Sequence, residues 1–211
     1  AGVIYHFAKF VFVNDMEQLR ATHKKAVECR NLALPYLDPP GDRVQIPYES
    51  GHLYGILRKP TGVEKPPVVI MCMGMDSAKE EMSTNEACFH KRSMATLTFD
   101  GPGQGEGEYD FAICPEYEKP VGAVLDYLET REDLDLDRIG SWGVSFGGYY
   151  APRATAYQKR LKACISISGP FEYFSLFQRS GTHDVFVKRA HCKSEEEALK
   201  IAKRVDLSEA V

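Results

Sequence analysis

Gly143-Val144-Ser145-Phe146-Gly147-Gly148 constrains the fold more than any other stretch of this chain. It fits G-x-S-x-G, and its flanks give the pattern meaning: the apolar run RIGSWGV leads in, and FGGYYAPRATAYQKR, which reads as a helix, leads out. A serine forced into a sharp strand-to-helix corner leaves no room for a Cβ two positions away on either side, so glycine at 143 and 147 is a steric demand. Such a corner lifts the Ser145 hydroxyl above the C-terminal edge of a sheet, where a nucleophile can work. Without that context the motif is a common chance match, and a small-residue helix start packed on a strand would account for the same glycines.

The remaining sequence supplies the sheet that the corner needs. RVQIPYES and GHLYGILRKP alternate around Ser50-Gly51 as a hairpin, and VVIMCMG after Pro66-Pro67 reads as a strand buried on both faces. SAKEEMSTNEACFHKR follows as a helix, with Ser77 as N-cap and Glu80 in a capping box. MATLTFD is a strand, GPGQGEGE a loop and EKPVGAVLDYLETRED a helix with Val121, Val124, Leu125 and Leu128 on one side; LKACISISG is a strand too apolar for an exposed edge. Alternating strands and helices predict an α/β layered domain with a parallel sheet.

Residues 1–37 read as helices, with an apolar stripe through Leu19, Ala26, Leu32 and Leu34. IYHFAKFVF is apolar nearly all round and is expected to be covered by the following domain. After residue 170, EYFSLFQRS, HDVFVKRAH and SEEEALKIAKRVDL read as helices broken at Ser180-Gly181-Thr182 and Cys192-Lys193. The expected division is an N-terminal helical cap segment at 1–40, a core at 41–170 and a helical cap insertion at 171–211.

Composition narrows the partners. Among 211 residues, 26 basic side chains face 30 acidic ones without a basic block, so no nucleic acid partner is expected. The six cysteines form no C-x-x-C pair and have no histidine at ligand spacing, so neither a metal nor a cofactor is expected and the reading is a reduced, cytoplasmic protein. No apolar run is long enough to span a membrane.

A serine nucleophile needs two backbone donors for the oxyanion that forms on attack. One is the N–H of Phe146, at a helix start with unpaired donors. The other is assigned to Met75 in Gly74-Met75-Asp76-Ser77, after VVIMCMG, although Met75 as core filler is the simpler alternative. Asp76 either holds that loop or touches substrate. Gly101, Gly103 and Gly105 imitate a dinucleotide fingerprint, but the segment follows a later strand, contains Pro102 and opens no helix. A tight turn closing the pocket floor is the expected role.

The acid and base are harder to place, because a Ser triad in this kind of fold runs Ser, then Asp or Glu, then His. After Ser145 stand only His183 and His191, with Asp184 and Asp206; Asp184 and His191 have the order but lie in a helical segment, as cap residues. His6, His23, His52 and His90 precede the serine and are assigned surface or core roles. Two further strands, the acid and the histidine are therefore expected beyond Val211, the chain being truncated before the last strands.

GMDSAKEE at 74–81, FDGPGQGEGE at 99–108, RIGSWGVSFGGYYAPRA at 138–154 and YHFAKFVFVND at 5–15 together resemble one group of α/β-hydrolases. It contains 2,6-dihydroxypseudooxynicotine hydrolase, the fungal polyketide-shortening hydrolases of pigment pathways and the FrsA-like esterases. The resemblance implies an α/β-hydrolase three-layer sandwich with a mostly parallel sheet and helical cap. It implies Ser145 as nucleophile of a Ser-Asp-His mechanism, with Met75 and Phe146 as oxyanion donors. The reaction implied is C–C bond hydrolysis of an aromatic or polyketide β-diketone-like substrate. Alternatives are a carboxylesterase on small acyl esters and a catalytically inactive binding module. The expected partner is a small-molecule carbonyl compound, with a homodimer left open.

Overall fold

In the computed structural model, which describes residues 1–12, 14–179 and 183–210, six strands form one sheet in the order β1-β2-β4-β3-β5-β6. β1 (Gly41–Tyr48) and β2 (Gly51–Arg58) make the expected antiparallel hairpin, with Tyr48 opposite Gly51. β2 runs antiparallel to β4 (Ala95–Asp100). Beyond it, β4, β3 (Pro67–Cys72), β5 (Asp135–Val144) and β6 (Leu161–Ile167) are mutually parallel.

Strand β3 explains why a parallel sheet is apolar without alternation. Val68, Ile70 and Cys72 join the core beneath α4 (Glu118–Leu128) and α5 (Gly147–Tyr157), while Val69, Met71 and Met73 pack with Met82 and Trp142 on the opposite face, beside Phe89 of α3 (Ser83–His90). Helices on both faces make three layers. Val121, Val124, Leu125 and Leu128 of α4 are all buried, as their spacing predicts. The parallel strands end together at Cys72, Asp100 and Val144, so the loops after them converge.

Three expectations need correction. The helix expected from Ser77 starts later: Lys79–Glu81 form a 3-10 turn and Met82 is the N-cap of α3. Lys79 and Glu80 are instead drawn inward as a buried ion pair. In α2 (Met16–Ala33), capped by Asp15, Leu19 and Ala26 are buried, as is Leu34 just after it, but Leu32 is 76% exposed. α1 (Gly2–Ala8) turns His6 inward and leaves Val3, Ile4 and Phe7 exposed, so its apolar surface is not covered by the described residues. β6 lies at the sheet edge with Ile165 47% and Ile167 41% exposed, beside an apolar concavity of about 660 Å³ lined by Val69, Phe89, Met94 and Ile165.

The last segment forms α6 (Phe174–Arg179), α7 (Asp184–Arg189) and α8 (Glu195–Ala202), with a bridge between Glu172 and Asp206 joining its two ends. The break assigned to Ser180-Gly181-Thr182 lies outside the described residues, as does Val211.

Candidate active site

Ser145 occupies the corner between β5 and α5 with φ at 55°, a left-handed conformation that costs a non-glycine residue about 1–2 kcal/mol. The corner is closed by contacts that only glycine permits. A Cβ on Gly143 would lie 1.9 Å from the Gly147 carbonyl oxygen, and one on Gly147 would lie 2.0 Å from that of Cys72. The Ser145 N–H donates to Ile167 O at 2.9 Å, which pins the corner to β6. Its side chain is exposed, and the hydroxyl makes no hydrogen bond with a described residue.

The loop after β3 passes directly beside this hydroxyl: a Cβ on Gly74 would sit 3.2 Å from Ser145 Cβ and 3.5 Å from its Oγ. Neither the Met75 N–H nor the Phe146 N–H is hydrogen-bonded to a described residue. Two amide donors without a described partner thus lie near the Ser145 corner, one on the loop after β3 and one at the start of α5. Asp76, for which the sequence left two roles open, meets Arg189 of α7 at 3.3 Å and links this loop to the cap.

The loop 101–109 leads into a 3-10 turn, Gly105–Tyr109, and not into the long helix that follows a dinucleotide-binding loop. Its glycines answer steric demands. A Cβ on Gly101 would lie 2.1 Å from the Tyr117 hydroxyl, and one on Gly105 would lie 2.1 Å from Asp100 Cγ. Between them Gln104, fully buried, points its amide back at the β3 loop.

Beneath both loops lies a buried charge network that sequence reading missed. Lys79 Nζ is 2.6 Å from Asp100, 2.7 Å from Glu80 and 2.7 Å from Glu106. Asp100 also accepts the backbone N–H groups of Lys79 and Glu106, both at 2.9 Å, and Arg43 forks onto Glu106. Burial would lower the Lys79 pKa, but the facing carboxylates hold it above its ordinary value. Burial raises Asp100; it also acts upward on Glu80, where Lys79 and His23 prevail and bring the pKa down.

His23, Glu80 and Asp100 form the one group of metal-ligating side chains found among the described residues. The Lys79 ammonium already lies within hydrogen-bond distance of both carboxylates, so a side-chain cation balances them. A readable signal existed in hindsight: Asp100 ends an apolar strand just before a glycine-rich loop, and an aspartate there needs partners.

No described histidine is bonded to Ser145. His191 Nε2 contacts Glu108 O at 2.8 Å, and His183 stacks on Phe177 with centroids 3.9 Å apart. His6 pairs with Glu81 at 3.2 Å, His23 with the Tyr109 hydroxyl at 2.9 Å and His90 with Thr96 at 2.9 Å. Asp184 opens α7, exposed. Next to the Ser145 corner, the Phe146 ring meets Tyr173 edge-on at 4.9 Å, and Tyr173 meets Phe186 at 5.0 Å, an aromatic cluster that joins α5 to the cap and in which Phe146 and Phe186 are buried.

The chain is similar to known proteins over most of its length. The chain is 38% identical to 2,6-dihydropseudooxynicotine hydrolase of Paenarthrobacter nicotinovorans over 169 residues, covering 80% of this chain and 46% of that protein. It is 38% identical to hydrolyase ccsE of Aspergillus clavatus over 162 residues, covering 70% of this chain and 37% of that one. The crystal structure of 2,6-dihydroxy-pseudo-oxynicotine hydrolase superposes with a TM-score of 0.90 at 32% identity, over 99% of this chain and 60% of that one. The chain therefore spans about half the length of the relatives it matches. Residues 5–183 match the family described as Esterase FrsA-like, and the fold built around Ser145 is that of an α/β-hydrolase: the chain belongs to this family.

Proposed function

We propose that this chain carries the nucleophile and oxyanion-binding part of a serine hydrolase that cleaves a C–C bond next to a carbonyl, in an aromatic or polyketide β-diketone-like substrate. The observation that carries this reading is Ser145 at φ 55°, exposed at the corner and flanked by the unpaired N–H groups of Met75 and Phe146. Ser145 Oγ adds to the carbonyl carbon while a general base takes its proton, and the oxyanion receives hydrogen bonds from the two amides. Collapse of the intermediate breaks the C–C bond, and the departing carbanion takes the proton back from the base. Water then adds to the acyl-serine, releasing a carboxylic acid and restoring the hydroxyl.

A histidine and its Asp or Glu partner come from a segment other than the described residues, since no described histidine reaches Ser145. Residues 1–40 and 171–211 form the cap over the core at 41–170. Similarity to a 2,6-dihydropseudooxynicotine hydrolase supports this substrate reading. Six unpaired cysteines fit a cytoplasmic setting. A homodimer belongs to the proposal and is read by sedimentation velocity.

The test compares the intact enzyme with its Ser145→Ala variant on an aryl β-diketone and on short p-nitrophenyl esters. Diketone cleavage that disappears in the variant is the expected result. Turnover that survives the substitution removes the serine mechanism, and turnover of esters alone leaves a carboxylesterase. Absence of fluorophosphonate labelling in the wild type would leave an inactive binding module.

A further inference from the structure

The glycine-rich loop presents one side chain that the proposed chemistry has not used. Gln104 is fully buried, and its Nε2 donates to Met73 O and to Gly74 O, both at 2.7 Å. Its Oε1 accepts from the Tyr117 hydroxyl at 2.8 Å. The amide orientation follows from chemistry: the two main-chain oxygens only accept, so the NH₂ must face them, and the oxygen must face the phenol. Burial keeps that phenol protonated, with its pKa raised well above the ordinary value.

The Gly74 carbonyl and the Met75 N–H belong to the same peptide plane, and in a trans peptide they point in opposite directions. Whatever fixes the carbonyl therefore fixes the N–H. Gly74 O also accepts from Ser77 N at 3.2 Å, so the carbonyl end is held by two donors while the N–H end is left unpaired beside Ser145. A hydrogen bond to the oxygen also polarises the peptide and makes its N–H a stronger donor.

We propose that Gln104 is a positioning residue of the oxyanion hole, holding the carbonyls of Met73 and Gly74 so that the Met75 N–H faces the space above Ser145, with Tyr117 fixing the orientation of its amide. This rests on Met75 being an oxyanion donor. The spacing of the glycine-rich loop follows from it. Gly101 leaves room for the Tyr117 hydroxyl, and Gly103, at φ 74°, and Gly105, at φ 47°, let the chain turn on either side of an inward-pointing glutamine. The phenol is placed in turn by stacking on Tyr150, centroids 3.6 Å apart.

The experiment uses the intact enzyme with three variants, Gln104→Glu, Gln104→Met and Tyr117→Phe, each checked for native near-UV circular dichroism. Fluorophosphonate labelling of the wild type, absent in Ser145→Ala, first establishes the serine reading; failure at that step defeats the reading itself, separately from the role of Gln104. Kinetics with a p-nitrophenyl ester then follow from pH 8 to pH 5.5.

In Gln104→Glu, the ionised side chain would set a carboxylate against two carbonyl oxygens, whereas the protonated one can donate to one of them and still accept from Tyr117. The expected kcat of Gln104→Glu at pH 8 is at least about 10-fold below wild type, with the roughly 10²–10³-fold loss known for removing an oxyanion donor as the upper bound, and KM changes by less than about 3-fold. The ratio of variant to wild-type kcat rises by at least about 5-fold as pH falls to 5.5, because only the variant gains a donor there. Gln104→Met loses kcat by about 10-fold or more with no such recovery, and Tyr117→Phe loses less, since the amide keeps its donors but not its fixed orientation. The proposal is overturned if Gln104→Met retains kcat within about 2-fold, or if Gln104→Glu shows a loss that is the same at every pH. Should Gln104→Glu fail to fold, the kcat and KM of the uncharged Gln104→Met decide alone.

Discussion

Lys79→Met tests whether the charges behind the two site loops are held by pairing. The ammonium lies 2.6 Å from Asp100, 2.7 Å from Glu80 and 2.7 Å from Glu106. After the substitution Glu106 keeps its forked contact with Arg43, and Glu80 keeps His23 at 3.7 Å. Asp100, at 0% exposure, is left with two backbone N–H donors. Removing one partner of a buried pair costs about 3–5 kcal/mol, because the other charge remains buried without compensation. With a urea m-value of about 2 kcal/mol/M for a domain of this size, the unfolding midpoint should fall by about 2 M.

The pH dependence gives the sign. Burial already raises the Asp100 pKa above its ordinary value, and loss of Lys79 raises it further. A carboxyl with a raised folded pKa contributes stability that is present at low pH and lost as pH rises through that value. Glu80 and Glu106 are held below their ordinary range in the wild type, so the wild type loses their contribution as pH falls. The Asp100 effect shrinks the deficit of the variant between pH 8 and pH 5, whereas the Glu80 and Glu106 effect sets in only as pH falls below their ordinary value of 4.5. Urea unfolding followed by the fluorescence of Trp142, the single tryptophan, reads it directly. A midpoint loss under about 0.5 M at pH 8, or an equal deficit at both pH values, would refute the reasoning.

Gly147→Ala places a Cβ 2.0 Å from Cys72 O, so the corner must open; thermal unfolding should show a loss of about 3 kcal/mol, and fluorophosphonate labelling should vanish. Ser145→Gly relieves the strain at φ 55°, about 1–2 kcal/mol less the roughly 0.5–1 kcal/mol extra entropy of glycine, so Tm should rise slightly as labelling is lost. A fall in Tm would count against strain at the corner. Burial, then Arg58, lowers the His90 pKa to about 4, so its imidazole resonances should titrate near that value. Because the unfolded chain takes up this proton first, His90 contributes stability above pH 6.5 that is lost as pH falls toward 4, and His90→Gln should flatten stability over that window.

The parts of this molecule that could be read from sequence are those where one residue type has one reason to be there. VVIMCMG is apolar because both faces of β3 are covered, and Gly143 and Gly147 are glycine because backbone oxygens stand where a Cβ would go. Ser77 misleads because a local capping pattern, S-x-x-E, competes with a distant demand: Glu80 is pulled to Lys79 and His23 by charges that the fold brings to it. Gln104 escapes notice for a related reason. A polar residue between glycines looks like solvent-facing loop, and only the fold brings Met73, Gly74 and Tyr117 to its amide.

The N-terminal segment carries the same lesson into energetics. Periodicity assigns the inward face of a helix to its apolar residues, yet the helix α1 and the turn after it bury His6 and Lys9 and leave Val3, Ile4, Phe7 and Val11 exposed. The cause lies in what the core presents to it. Lys9 meets Glu108, His6 meets Glu81 and His23 meets Glu80, so every one of these acceptors stands on the segment after β3 or on the glycine-rich loop. An acidic docking surface selects the basic face of a helix over its apolar one, because a buried carboxylate without a partner costs more than an exposed valine or phenylalanine. The contacts that attach the N-terminal segment are therefore made to the same segments that flank the Ser145 corner. Loosening that segment would leave Glu80, Glu81 and Glu108 without their partners from it, so the attachment of the N-terminal segment and the rigidity of the loop after β3 are linked through shared contacts.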